Sequence, residues 1–217
     1  MTSPHVAEVP TAFGPGRMST YRARKPIANL LLSHGAGDGI EARDLQVLAA
    51  ALPRQGVTVM LFEQPWRVAG RRIATPPPTL DGALQAAVRR LRSTAPLVLG
   101  GRSAGARSAA RCADALDAQG VLALAFPLHP PGKPEKSRAH ELEAVGVPLL
   151  VVQGERDAMG RPEAFPPGTD LCVVPGADHG LKVPARGPVT QDEAMDIVVE
   201  ATLEWLVREV VGNQPAA

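Results

Sequence analysis

The chain has 217 residues, enough for one α/β domain with a substantial core, and its 45% hydrophobic and 21% charged content excludes wholesale disorder. A formal net charge of +1, spread over interspersed acidic and basic residues, offers no electrostatic footprint for nucleic acid or an anionic membrane surface. Cys112 and Cys172 form no C-x-x-C pair, so neither a metal site nor a disulfide framework is expected.

Met1 to Pro10 lacks the positive start and apolar run of a signal peptide, and no stretch approaches transmembrane length, so a cytoplasmic location is expected. Residues 1–26 read as an N-terminal segment with two antiparallel edge strands, near Glu8–Phe13 and Arg17–Arg24, joined at Gly14-Pro15-Gly16. Residues 27–212 read as one domain and residues 213–217 as a tail. Ile27–Ser33 is a continuous apolar run, as expected of a strand covered on both faces, and the glycine-rich loop His34-Gly35-Ala36-Gly37-Asp38-Gly39 follows it. In Glu41–Arg54, Leu45, Leu48, Ala49 and Leu52 keep the spacing of a helix lying on a sheet, and Gln55-Gly56 stops it.

Val57–Phe62 is the next predicted strand, with Glu63 at its carboxyl end; a helix is expected over Thr79–Leu91. Pro96–Gly100 reads as a strand and Ser103–Ala118 as an alanine-rich helix able to approach the sheet closely. The strand Val121–Phe126 leads into a proline-rich loop from Pro127 to Pro134, too stiff and short for a separate lid. Strands at Val147–Val152 and Leu171–Val174 and a final helix over Thr190–Val211 complete the chain. Strands alternating with helices predict a mainly parallel, doubly wound sheet flanked by helices.

Gly101-Arg102-Ser103-Ala104-Gly105 spells G-x-S-x-G between a strand and a helix. A serine at so sharp a turn is held in a strained conformation that lifts its hydroxyl clear of the sheet, so Ser103 is the candidate nucleophile. Parallel sheets bind ligands beyond the carboxyl ends of their strands. Asp157 and His179 also fall just past predicted strands, giving the order Ser, Asp, His of an α/β-hydrolase triad. A hydroxyl needs a base, and a histidine, whose unperturbed imidazole titrates at about 6.5, suits that role, which falls to His179; Asp157 would fix its tautomer. The backbone N–H groups of Ala36 and Ala104 are the candidate oxyanion donors.

Asp178 competes with Asp157 by its nearness to His179, but adjacent residues point apart in an extended segment. His34 reads as a structural anchor of the glycine loop. His129 stands between bracing its loop and lining a pocket. Arg102 reads as an ion-pair residue with a second option of holding an anionic substrate, and Glu63 as a partner for an arginine beside the nucleophile. A dinucleotide loop at Gly35–Gly39 fails the G-x-G-x-x-G spacing, because the third glycine falls at Ile40, and there is no Walker lysine. No cofactor is called for.

The chain resembles the α/β-hydrolase superfamily and, within it, the small dienelactone-hydrolase-like group that includes testis-expressed-30-like proteins and the hydrolase-like region of NSL complex subunit 3. The resemblance rests on Ser33-His34-Gly35-Ala36-Gly37, Phe62-Glu63-Gln64-Pro65-Trp66, Gly70-Arg71-Arg72, Gly100–Arg107, Phe126–Glu135, Gly154-Glu155-Arg156-Asp157 and Asp178-His179. It implies a lidless α/β-hydrolase fold and carries the triad onto Ser103, Asp157 and His179. Serine stands where dienelactone hydrolases proper use cysteine, so lactone specificity is not inherited. The expected activity is hydrolysis of a small ester or thioester with a small-molecule acyl substrate. The alternative is a binding or scaffold protein on the same fold, since one relative is a complex subunit.

Overall fold

The computed structural model describes residues 3–212; the expected tail at 213–217 lies outside the described residues. In chain order the strands are β1 (His5–Val9), β2 (Gly16–Tyr21), β3 (Ala28–Ser33), β4 (Val57–Glu63), β5 (Leu97–Arg102), β6 (Gly120–Leu124), β7 (Leu149–Gly154) and β8 (Asp170–Val174). They form one sheet in the order β1-β2-β4-β3-β5-β6-β7-β8. The β1–β2 and β2–β4 pairs are antiparallel, and every pair from β4 to β8 is parallel. This is an α/β-hydrolase fold with a mainly parallel sheet.

Side chains alternate across each strand, so the apolar run of β3 feeds two cores. Leu30 and Leu32 join Val59, Leu61 and Val98 on one face, under α1 (Arg43–Ala51) and the later helix α6 (Gln191–Trp205), which contribute Leu45, Leu48, Val198 and Trp205. Leu31 joins Met60, Leu99 and Val121 on the other face, under α3 (Pro77–Val88) and α4 (Ala104–Cys112), through Leu84, Ala87, Ala109 and Cys112. Two short helices, α2 (Pro65–Val68) and α5 (Ala139–Glu143), complete the set. The connection from β6 to β7 carries only α5 and no inserted lid.

Several boundaries differ from the expected ones. The first strand lies at His5–Val9 rather than Glu8–Phe13, because Pro10 lacks an N–H and Thr11 closes a turn, its Oγ1 donating to the Gly14 carbonyl (2.7 Å) and accepting from Phe13 N–H. The helix after β5 begins at Ala104, with Ser103 outside it at φ 52°, and stops at Cys112; a 3₁₀ turn at Asp114–Leu116 follows. The last helix is Gln191–Trp205, opened by a reciprocal capping box between Thr190 and Glu193, and continues as wider π-type turns over Leu206–Val211. Neither α2 nor α5 was expected. No described helix is long and apolar enough to cross a membrane.

Candidate active site

Ser103 follows β5 at φ 52° and ψ −109°, a strained conformation for any side chain. The turn closes only because its flanks are bare. A Cβ on Gly101 or on Gly105 would overlap the Ser33 carbonyl, so β3, the turn and α4 pass at backbone contact. Ser103 N–H donates to the Leu124 carbonyl at the end of β6 (2.9 Å), which locks the turn to the sheet.

His179 stands beyond β8, three strands away from β5, and reaches Ser103 because its loop folds back over the end of β7. Arg156 N–H donates to the Ala177 carbonyl (2.8 Å), and a Cβ on Gly154 would meet the Asp178 and Ala177 carbonyls at 2.5 and 2.6 Å. Asp178 shapes this turn, its Oδ1 accepting from the N–H groups of Gly180 (2.7 Å) and Lys182 (3.0 Å). That carboxylate is therefore occupied with backbone, and the residue facing the imidazole is Asp157.

The Asp157 side chain is fully buried. Its Oδ2 accepts from His179 Nδ1 (2.7 Å) and from Gln153 Nε2 (2.8 Å), and its Oδ1 accepts from Met159 N–H (2.7 Å). A carboxylate can only accept, so Nδ1 carries the proton and Nε2 is left as an acceptor facing Ser103 Oγ at 3.0 Å. Ser103, His179 and Asp157 thus form an unbroken hydrogen-bonded line.

β3 and β5 are parallel neighbours with Ser33 opposite Gly101, so the glycine loop after β3 lies beside the turn after β5. Among the described residues, neither Ala36 N–H nor Ala104 N–H is engaged by a backbone or side-chain acceptor. The loop is anchored by His34, which donates from Nδ1 to the Gly35 carbonyl (2.8 Å) and accepts at Nε2 from Gln64 N–H (3.0 Å). Burial lowers its pKa below the ordinary 6.5. Its ring packs at 60° on Trp66, centroids 5.5 Å apart. Beside Ala36 and Ala104 runs a narrow cleft lined by Trp66, Ala74 and Leu80, too tight at its present width for a water molecule. A roomier groove of about 540 Å³, against β1 and β4, shares none of these residues.

The sequence matches the family described as alpha/beta hydrolase domain over residues 26–207. The chain belongs to that family. No curated protein matches this α/β hydrolase. Its fold is similar to that of a lidless α/β serine hydrolase from Xanthomonas campestris, at TM-score 0.71 and 20% identity over 94% of this chain and 96% of that one. Dienelactone hydrolase from Anabaena variabilis gives 0.73 and 18% over 96% of this chain and 100% of that one. Est1E from Butyrivibrio proteoclasticus gives 0.70 and 15% over 95% and 100%.

None of the three candidate pocket residues, Glu63, Arg102 and His129, lines the cleft beside Ala36 and Ala104. Glu63 pairs with Arg17 of β2 (2.8 Å), not with an arginine beside the nucleophile, since the antiparallel β2–β4 register sets the two opposite each other. His129 braces its own loop, its Nδ1 2.9 Å from the Pro130 carbonyl and its N–H donating to Met159. Arg102 is buried among protein acceptors rather than open to a ligand. Sequence reasoning missed Gln153 and Asp44. Gln153 is a polar residue inside a fully apolar strand, and Asp44 a carboxylate on the apolar face of a helix, with its pKa raised by burial against the pull of Arg102. Both were visible as breaks in an apolar pattern.

Proposed function

We propose that this α/β hydrolase cleaves a small ester or thioester through an acyl-enzyme on Ser103. The observation that carries the reading is the line from Ser103 Oγ to His179 Nε2 (3.0 Å) and from His179 Nδ1 to Asp157 (2.7 Å). In acylation the hydroxyl oxygen bonds to the acyl carbon while His179 Nε2 takes its proton. Negative charge collects on the former carbonyl oxygen, where the N–H groups of Ala36 and Ala104 are the candidate donors. Each such donor is worth about 10²–10³ in rate. Collapse breaks the bond to the leaving alcohol or thiol, which takes the proton back from His179. Water repeats the cycle on the acyl-enzyme and releases the acid. Asp157 keeps its hydrogen bond to Nδ1 and so holds the imidazolium in place.

The Phe126–Glu135 stretch supports the narrower kinship with testis-expressed-30-like proteins. A fluorophosphonate probe is expected to label the wild type and not Ser103→Ala. On activated esters of graded chain length, the same substitution should lower kcat by about 10⁴-fold or more. Equal labelling of both proteins, or a folded wild type inert to every ester, would leave a binding protein on a hydrolase fold.

A further inference from the structure

The residue before the nucleophile is an arginine whose side chain is only 8% exposed, and each end of its guanidinium touches a different part of the site. Nη1 donates to Asp38 Oδ2 (3.0 Å), two residues past Ala36 in the glycine loop. Nη2 donates to the backbone carbonyl of His179 (3.1 Å). Nε lies 3.2 Å from Asp44 Oδ2, a carboxylate 2% exposed on α1. That contact is an ion pair without aligned hydrogen-bond geometry. Among the described residues, no other side chain binds the His179 backbone.

We propose that Arg102 is a positioning residue that sets both the base and the oxyanion loop against Ser103. The inference rests on the hydrolase reading above. His179 comes from beyond β8 and Asp38 from beyond β3, so neither is placed relative to the other by shared strand pairing. A planar fork with donors at fixed angles does this, and a point-charge ammonium does not. Asp44 holds the fork at its root and compensates its charge. A shift of about 1 Å in a reacting group can cost about 10²-fold in rate, so the tether acts on turnover rather than on substrate affinity.

Removing Arg102 alone strands the Asp44 carboxylate in the interior, so the test is the double variant R102M/D44N with R102K beside it. With cooperative unfolding retained, R102M/D44N is expected to lower kcat on an activated ester by about 10- to 100-fold, with KM within about twofold. R102K keeps the Asp44 pair but cannot reach Asp38 and His179 together, and should recover part of the loss. The His179 Nδ1 proton, held by Asp157, gives a downfield NMR signal readable without substrate. It should broaden or vanish in R102M/D44N and persist in Ser103→Ala. A folded R102M/D44N with wild-type kcat and an unchanged signal overturns the role of Arg102. Loss of that signal in a protein whose wild type turns over no ester upholds the tether and refutes the hydrolase reading instead.

Discussion

His34 spends both ring nitrogens on the backbone, one as donor to Gly35 and one as acceptor from Gln64. A second proton would destroy the bond from Gln64, and burial already lowers the pKa. The folded protein therefore resists protonation at pH values where the unfolded chain accepts it. The resulting stability is present in full above about 6.5, the unfolded value, and is lost as pH falls towards the lower folded value. Denaturant unfolding at pH 7.5 and 5.5 checks this. His34→Leu should be less stable at pH 7.5 by about 1–3 kcal/mol, because two buried backbone groups lose their partner. Its further loss on acidification should be smaller than that of the wild type; an equal loss would mean that His34 does not set the acid sensitivity. At this scale Ser103, Asp157 and His179 were legible because each follows an apolar strand, so a one-dimensional pattern marks a common rim. Arg102 was read as an ion-pair residue, but its partners were not, because they lie 64 residues before it and 77 after it, and no local spacing encodes them.

The strand, turn and helix around Ser103 act as one element whose geometry is set by missing side chains. At Gly105 an added Cβ would overlap the Ser33 carbonyl, backbone that cannot swing away. At Gly37, in the neighbouring loop, it would meet nothing within 4 Å. Gly105→Ala is thus expected to push α4 from β3, cost about 1–3 kcal/mol or more, and slow fluorophosphonate labelling. Gly37→Ala should match the wild type in melting and in labelling. Similar behaviour of the two variants would mean that backbone contact does not set the turn. Elements were legible in proportion to their length. The buried strands announced themselves as apolar runs, and α6 by its periodicity. Helix α2 has 4 residues and α5 has 5, too few turns to establish a 3.6-residue period. The first strand was misplaced because Phe13 looked like strand, whereas the Thr11 side chain had already turned the backbone.

Across the whole molecule, the parallel sheet and its two helical layers followed from alternation, but the order β4-β3-β5 did not. That order depends on which faces match, and it brings the glycine loop beside Ser103. One face is tied by a charge network that no local pattern shows. Arg111 of α4 reaches Asp81 of α3 (2.7 Å) and Glu141 of α5 (3.1 Å), and Arg107 of α4 holds Glu141 bidentately at 2.7 and 2.6 Å. Burial pushes the Glu141 carboxyl up, but the hydrogen bonds and charges of Arg107 and Arg111 win and hold it below the usual range. A lowered carboxylate contributes stability that is present above about 4.5, its unfolded value, and is lost as pH falls through the folded value. Glu141→Gln keeps the shape and removes the charge, leaving two arginines with one carboxylate between them. Breaking a buried pair costs about 3–5 kcal/mol, but the side chains of Arg107 and Arg111 are 20% and 22% exposed, and screening trims this. At pH 7 the variant should be less stable by about 1–3 kcal/mol, and the gap should narrow as the pH falls below about 4.5. Labelling of Ser103 per folded molecule should not change, since the network lies on the α3–α5 side of the sheet and donates nothing to the Ser103–His179–Asp157 line. A gap that does not narrow at all below about 4.5 would assign the cost to packing around Leu142 rather than to charge.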